Sequence, residues 1–219
     1  MHAPPRGTVY GTLLNYRGAL AALGEAVHKP PYKAPPRAPV LYIKPANTWI
    51  GDGAPIPVPG DAEALQMGAA LGVVIGRTAC RVPVESALDY VLGYTVVNDV
   101  SVPHDSFYRP SIRLKCRDGF CPISATIADR LRVPNPDALA VRVFVDGALR
   151  QENTTAHLIR SMARLLADIT EFMTLSAGDV LLTGVPENAP LARAGQRVAI
   201  EIEGVGRLEN PLVAEGQAG

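Results

Sequence analysis

Aromatic side chains and charge are both scarce in this chain: Phe, Trp and Tyr make up 5% of it, and charged residues only 19%. Lys plus Arg number 21 and Asp plus Glu number 21, so the formal net charge is zero. That balance lacks the sequence-wide basic field on which nucleic-acid binding depends, and no nucleic-acid partner is expected. No apolar run approaches the roughly 18 residues of a transmembrane helix, so no membrane partner is expected either. The first residues, MHAPPRG, lack the apolar stretch of a signal peptide. Three cysteines, Cys80, Cys116 and Cys121, are too few for a disulfide framework. The Cys116-x4-Cys121 pair has no companions to complete the four nitrogen or sulfur ligands of a zinc site. Reduced thiols and a cytoplasmic location follow as expectations. Ser101 and Ser106 have no base at a recognisable spacing, which leaves nucleophilic catalysis without support. No repeat of 20 to 50 residues is present.

What remains is a chain of 219 residues, 47% hydrophobic, with mean hydropathy +0.12, enough to bury the core of one domain. Twenty glycines and twenty prolines are spread along it, which reads as many turns between short strands. Gly7 to Asn15, Val40 to Lys44, Leu71 to Ile75, Tyr94 to Val97 and Asp179 to Thr183 have the composition of strands. Pro55 to Pro59 fits only an edge strand or a connection. Asp146-Gly147 between Ala140 to Val145 and Ala148 to Gln151 is the strongest hairpin signal. Arg197 to Glu203 and Arg207 to Val213, joined by Gly204-Val205-Gly206, form a second. Arg17 to His28 and the segment after Pro83, Val84 to Tyr90, read as short helices. The apolar positions Leu158, Ile159, Met162, Leu165, Leu166, Ile169, Phe172 and Met173 predict one longer helix, capped by Thr154 or Thr155. Pro30 to Pro39 should be an extended loop. Short strands outnumber helices without regular β-α alternation, so the expected fold is mixed and mostly β. The domain should span residues 7–213, with tails at 1–6 and 214–219.

One segment concentrates chemistry. From Gly93 to Pro122 an apolar run ends in Asn98-Asp99. His104, Asp105, Tyr108, Arg109, Arg113, Lys115, Arg117 and Asp118 then follow within twenty residues. Loops after strand ends are where a scaffold presents functional groups; the plain alternative is a solvated loop at a sheet edge. Arg109 and Tyr108 suit a carboxylate-rich ligand, because a guanidinium reads a carboxylate through two parallel hydrogen bonds. Ion pairing would account for them equally well. His2, His28 and His157 look incidental.

Several motifs, taken in order, resemble the fumarylacetoacetate hydrolase family. They are Leu14-Asn15-Tyr16, Ile43-Lys44-Pro45 with Asn47-Thr48, Leu71 to Gly76, and Gly93-Tyr94 through Asn98-Asp99. Lys115 to Pro122, Asp146-Gly147 with Thr154-Thr155, Gly178-Asp179 with Thr183 to Pro186, and Glu203 to Asn210 continue the series. The likeness implies a β-sandwich or roll with a few peripheral helices. Within the family, the SFYRP and KCRDGFCPI stretches resemble the branch acting in homoprotocatechuate (4-hydroxyphenylacetate) breakdown, a decarboxylase and isomerase built of two related repeats. This chain resembles the first repeat standing alone. The implied substrates are small multi-carboxylate oxo acids, 5-oxopent-3-ene-1,2,5-tricarboxylate and 2-hydroxyhepta-2,4-diene-1,7-dioate.

The resemblance also implies a divalent cation, magnesium or manganese, held by an E-x-E pair and a later aspartate, where it would stabilise enolate charge. In this sequence the E-x-E positions fall at Gly68 and Ala70, which offer no ligand atoms. Asp99 matches the third ligand and stands alone, so the chain by itself is not expected to hold the metal. Glu63, five residues before Gly68, is the one substitute in the neighbourhood. The family's His-x-x-Glu acid/base pair falls at Ala19 and Ala22. Lys115 matches a lysine near the metal and is a candidate substrate-carboxylate ligand, with Arg109, Tyr108 and Asp118 as companions. Asp118 could equally anchor its own loop beside Gly119, and Asp99 without metal would accept hydrogen bonds from nearby backbone. His104 and Lys115 are the candidate proton carriers. Two readings stay open: an enzyme subunit, or a catalytically silent partner of a sister chain that carries E-x-E. A different hydrolase or isomerase of the superfamily is a third. A homodimer, or a heteromer with that sister chain, is implied.

Overall fold

The computed structural model describes residues 7–108 and 112–217. Two twisted sheets carry the fold. The first contains strands β1 (Val9–Leu13), β2 (Val40–Lys44), β4 (Ala69–Ile75), β5 (Val91–Asn98), β6 (Ala128–Asp129) and β9 (Val180–Leu182), in the order β2-β1-β9-β4-β5-β6. The second contains β3 (Ile56–Val58), β7 (Ala140–Val145), β8 (Ala148–Thr154), β10 (Arg197–Ile202) and β11 (Gly206–Ala214), in the order β8-β7-β10-β11-β3. Pairings are antiparallel except β1 with β9 and β11 with β3. The mostly β sandwich expected from the sequence is the architecture found.

The core lies where β10 and β11 pack on β5 and β7 packs on β4. Strand β7 alternates half-buried and buried positions, so Val141, Val143 and Val145 enter the core while Arg142 and Phe144 point away. Strand β4 is buried along its whole length. Its Ala69, Leu71, Val73 and Ile75 belong to the main core, and Ala70 and Val74 join a smaller cluster with Val97, Cys121, Val180 and Leu182. A strand buried on both faces explains why LGVVI reads as a continuous apolar run.

Turn chemistry behaves as its residues dictate. Asp146 and Gly147 both take positive φ, 51° and 78°, the demand of a two-residue hairpin whose twist matches its strands. Pro55 to Pro59 supplies β3 at the edge of the second sheet. Helices depart more from expectation. The expected Arg17 to His28 helix is α1 (Arg17–Ala21) followed by a separate 3-10 turn, Gly24–His28, because Gly24 enters the left-handed region at φ 49°. Val84–Tyr90 is 3-10 rather than α. The longest helix, α3, runs Met162–Thr170, and its cap is Ser161, whose side chain accepts from the Arg164 amide at 3.3 Å. Thr154 instead caps the 3-10 turn Thr155–His157, accepting from the Ala156 amide. That turn is why Leu158 and Ile159 precede the helix although they continue its apolar spacing. A short helix, α2 (Ile112–Lys115), completes the set used below. The expected tail at 1–6 lies outside the described residues, and β11 continues through Ala214.

Candidate functional site

Two strands of the first sheet and one short helix converge on Asp99. Strand β5 ends at Asn98 and delivers Asp99 at the sheet rim, its amide donating to the Gly68 carbonyl at 2.7 Å. Strand β2 contributes Tyr42 and Lys44, two residues apart and therefore on one face. Helix α2 contributes Lys115 from its last position. All four side chains are buried: Asp99 is 2% exposed, Lys44 0%, Lys115 5% and Tyr42 8%.

The polar groups of this cluster are almost fully committed. The Tyr42 hydroxyl makes a short hydrogen bond to Asp99 Oδ2, and Lys115 Nζ donates to the same oxygen at 3.0 Å. Lys44 Nζ gives hydrogen bonds to the carbonyls of Val100, Lys115 and Phe120 at 2.8, 2.7 and 2.9 Å. An ammonium has three donors, so all of them are spent on backbone. Lys44 nevertheless stands 2.7 Å from Asp99 Oδ1, which accepts no hydrogen bond; that contact is Coulombic. Burial alone would push the Asp99 carboxyl up, but the two ammoniums and the Lys44 and Tyr42 contacts prevail and hold it well below the usual carboxylate range. Burial brings Lys115 down from the ordinary lysine value, with Lys44 adding to the effect and Asp99 opposing it. Burial first, and the Asp99 charge second, drive the Tyr42 phenol well up. Asp99 was expected to take hydrogen bonds from nearby backbone; its donors are instead the side chains of Tyr42 and Lys115.

Above the cluster opens a cleft of about 420 Å³. Asp99, Lys115 and Tyr42 form one wall, with Gln66, Gly68 and Ser101 beside them. Ala19 and Ala22 of α1 form another wall, with Val185, Pro186, Glu187 and Asn188. His104, Asp105 and Phe107 also line the cleft. His104 Nδ1 lies 2.8 Å from the Val102 carbonyl. A carbonyl only accepts, so Nδ1 is the donor in this contact. Of the positions that the family resemblance assigns to the metal and the acid/base pair, Gly68, Asp99, Ala19 and Ala22 line this one cavity, and Ala70 does not.

Other sequence candidates lie elsewhere. Tyr108 is half exposed, stacks edge-on against Tyr32 at 6.0 Å between ring centroids, and does not line the cleft. Asp118 is exposed and accepts from Asn47 Nδ2 at 2.7 Å, tying two loops together outside the cleft. Arg113 and Arg117, from the same charged segment, both pair with Asp61, whose carboxyl these guanidiniums hold below its usual range. Glu63 is on the surface and pairs with Arg193 at 2.7 Å. Arg109 lies outside the described residues. Sequence reasoning missed Glu187 altogether, and it treated Tyr42 only as part of a strand and Lys44 only as part of that strand and of a motif.

The donor set does not fit a divalent cation. Hard cations need several oxygen ligands, and among the described residues no group of three or more His, Cys, Asp or Glu comes together. Ala70 is fully buried in an apolar cluster, and a Cβ on Gly68 would stand 2.5 Å from the Asp99 carbonyl oxygen. The Asp99 carboxylate is shared among a phenol and two ammoniums.

Comparison with known proteins gives this geometry its context. The family model described as fumarylacetoacetate (FAA) hydrolase C-terminal matches residues 8–213. The 4-hydroxyphenylacetate degradation bifunctional isomerase/decarboxylase of Escherichia coli is 44% identical over 210 residues, covering 96% of this chain and 48% of that protein. The chain thus spans about half the length of the curated relatives it matches. Among solved structures, the 2-hydroxyhepta-2,4-diene-1,7-dioate isomerase of Mycobacterium marinum superposes with TM-score 0.80 at 32% identity, covering 98% of this chain and 77% of that one. The fumarylpyruvate hydrolase of Pseudomonas aeruginosa, solved in complex with Mn2+ and pyruvate, gives 0.82 at 26% identity, covering 95% and 90%. No helix among the described residues is long and apolar enough to cross a membrane. By sequence and by fold, the chain belongs to the fumarylacetoacetate hydrolase family.

Proposed function

We propose that this chain binds small multi-carboxylate oxo acids as part of a decarboxylase/isomerase of 4-hydroxyphenylacetate breakdown. One observation carries the reading: Lys115, in a chain so similar to that enzyme, is a buried ammonium facing a cleft of metabolite size. Its single hydrogen bond among the described residues goes to Asp99. An ammonium has three donors, and those not given to Asp99 serve a ligand carboxylate or the oxygen of an enolate. A decarboxylation and a dienol isomerisation both develop negative charge on that oxygen, so a fixed cation in a water-poor cleft serves both. Lys44 cannot share this role, because its donors are spent on three carbonyls.

The half-length match supports a partner, either a second copy or a related chain bearing the E-x-E pair. The absence of carboxylates at positions 68 and 70 favours one alternative, a catalytically silent partner of such a chain, and that reading differs in predicting ligand binding without turnover. Calorimetric titration with 2-oxoglutarate and with succinate tests the binding. Replacing a charge-assisted hydrogen bond of about 1.5–3 kcal/mol predicts that Lys115→Met weakens 2-oxoglutarate binding by roughly ten- to a hundredfold. Equal affinity in wild type and Lys115→Met, or no binding to either, would remove the proposal.

A further inference from the structure

Glu187 stands at the cleft and belongs to none of the motifs that mark the family resemblance. We propose that Glu187 is the proton-transfer base of this cleft, taking the place of the acid/base pair that α1 lacks at Ala19 and Ala22. The proposal rests on the oxo-acid reading above and deepens it.

Four observations converge. Glu187 lines the same cavity as Lys115, Ala19 and Ala22. Its carboxylate sits against the helix that should have carried the pair: a Cβ placed on Gly18 would lie 2.1 Å from Cδ and 2.3 Å from each carboxylate oxygen. Glycine at position 18 is therefore what leaves space for this side chain. The carboxylate is held from the far side, where Asn153 Nδ2 donates to Oε1 at 3.1 Å and Gln151 Nε2 donates to the Glu187 carbonyl. Its other oxygen, Oε2, is buried and accepts no hydrogen bond. A buried carboxylate oxygen without a donor is costly, and a proton arriving from a ligand supplies what is missing.

The step is a simple proton transfer. Glu187 takes a proton from the carbon next to the 2-oxo group. The C–H electron pair moves into the new C=C bond, and the carbonyl π pair goes to oxygen as an enolate beside the Lys115 ammonium. Once the proton on Glu187 has been swapped for one from solvent, its delivery to the same carbon gives exchange, and delivery to a more distant carbon of a conjugated dienol gives isomerisation. His104 lines the same cleft, and solvent reaching that cleft exchanges the proton held on Glu187. The other charged or titratable groups on the cleft are Asp99, Asp105, Lys115 and Tyr42, with Tyr16 packed behind Glu187.

The test is hydrogen–deuterium exchange at C3 of 2-oxoglutarate in D2O, followed by proton NMR, with calorimetric binding of the same compound measured in parallel. Glu187→Gln keeps the volume and the Asn153 contact and removes only the base. Wild type should exchange C3 protons above the buffer rate. Glu187→Gln should bind within threefold of wild type and exchange at least a hundredfold more slowly, the lower range of general-base contributions. Exchange in Glu187→Gln within threefold of wild type overturns the assignment, as does wild type that binds without exchanging. Wild type that fails to bind overturns the oxo-acid reading itself, and Glu187 falls with it.

Discussion

Replacing Lys44 with methionine should be among the most damaging single changes available in this fold, although the residue touches no ligand. The side chain is wholly buried. Methionine fills nearly the same volume but offers no donor, so the carbonyls of Val100 and Lys115 lose the hydrogen bonds at 2.8 and 2.7 Å that satisfy them, while the Phe120 carbonyl keeps only the Val100 amide at 3.1 Å. Each orphaned buried acceptor costs about 1–3 kcal/mol. Asp99 also loses the cation 2.7 Å from Oδ1, while Lys115 and Tyr42 still hold Oδ2. Removing one partner of a buried ion pair costs about 3–5 kcal/mol. The two estimates overlap, because local relaxation lets backbone and carboxylate share the loss, and about 3–5 kcal/mol is the expected total. Domains are stable by only about 5–15 kcal/mol, so the variant should sit near the edge of folding. Lys115→Met is the internal control: it removes one hydrogen bond to a carboxylate and should cost about 1.5–3 kcal/mol. Urea denaturation of both variants, with the slope unchanged from wild type, reads the difference. A Lys44→Met loss below about 1 kcal/mol, or one smaller than that of Lys115→Met, would refute this account of the cluster.

Three further outcomes follow from the same physics. Calorimetric titration with magnesium or manganese should reveal no site tighter than about millimolar, the weak end for hard cations, and EDTA should leave C3 exchange unchanged; a micromolar site lost in Asp99→Asn would contradict the donor set described above. Burial raises the Asp137 carboxyl more than the Met162 amide bond lowers it, so its stabilising contribution is complete below the ordinary carboxylate value and is lost as pH rises through the raised one. Asp137→Asn, which keeps an acceptor for that amide, should therefore be more stable than wild type at pH 7 and level with it near pH 4, by thermal denaturation across pH. Ser161→Ala should cost about 1 kcal/mol of stability through loss of the α3 cap, whereas a Thr154 substitution should leave α3 unaffected by circular dichroism.

Strands were legible where one face or both faces are apolar, as at β4 and β7, and hairpins were legible at Asp146-Gly147 because the turn itself demands those residues. Helix limits were less so. The apolar spacing continues from Leu158 to Met173, and only the position of Ser161 relative to the first core residue separates helix from flanks. The cluster around Asp99 was hidden by an inverted strand. In VLYIK, alternation would turn the apolar Ile43 inward, yet Ile43 is 51% exposed while Tyr42 and Lys44 are buried. A lysine buried two residues after a tyrosine makes sense only once a distant carboxylate is known to meet both. Glu187 was illegible for a related reason. Its neighbours across space, Gly18 and Asn153, are far away in sequence, and a single glutamate in a loop carries no pattern. The pairing of Arg113 and Arg117 was hidden as well, because their partner, Asp61, lies more than fifty residues upstream.

The cluster explains why Asp99 persists where other carboxylates expected of the family do not. Glutamates at positions 68 and 70 would have had a cation as their reason to be ionised; without it, two buried acids would cost several kcal/mol each, and glycine and alanine remove that cost. Asp99 is different, because its charge is the counter-charge of two buried lysines. Lys44 cannot leave without orphaning the Val100 and Lys115 carbonyls, and Lys115 provides the cation that faces the cleft. Deleting Asp99 would strand both ammoniums away from water. One aspartate is thus retained for reasons of folding, and the same arrangement leaves a positive centre beside the place where substrate charge would develop. The uncharged residues at positions 68 and 70 and the ionised Asp99 then follow a single rule: a buried charge stays where something pairs with it.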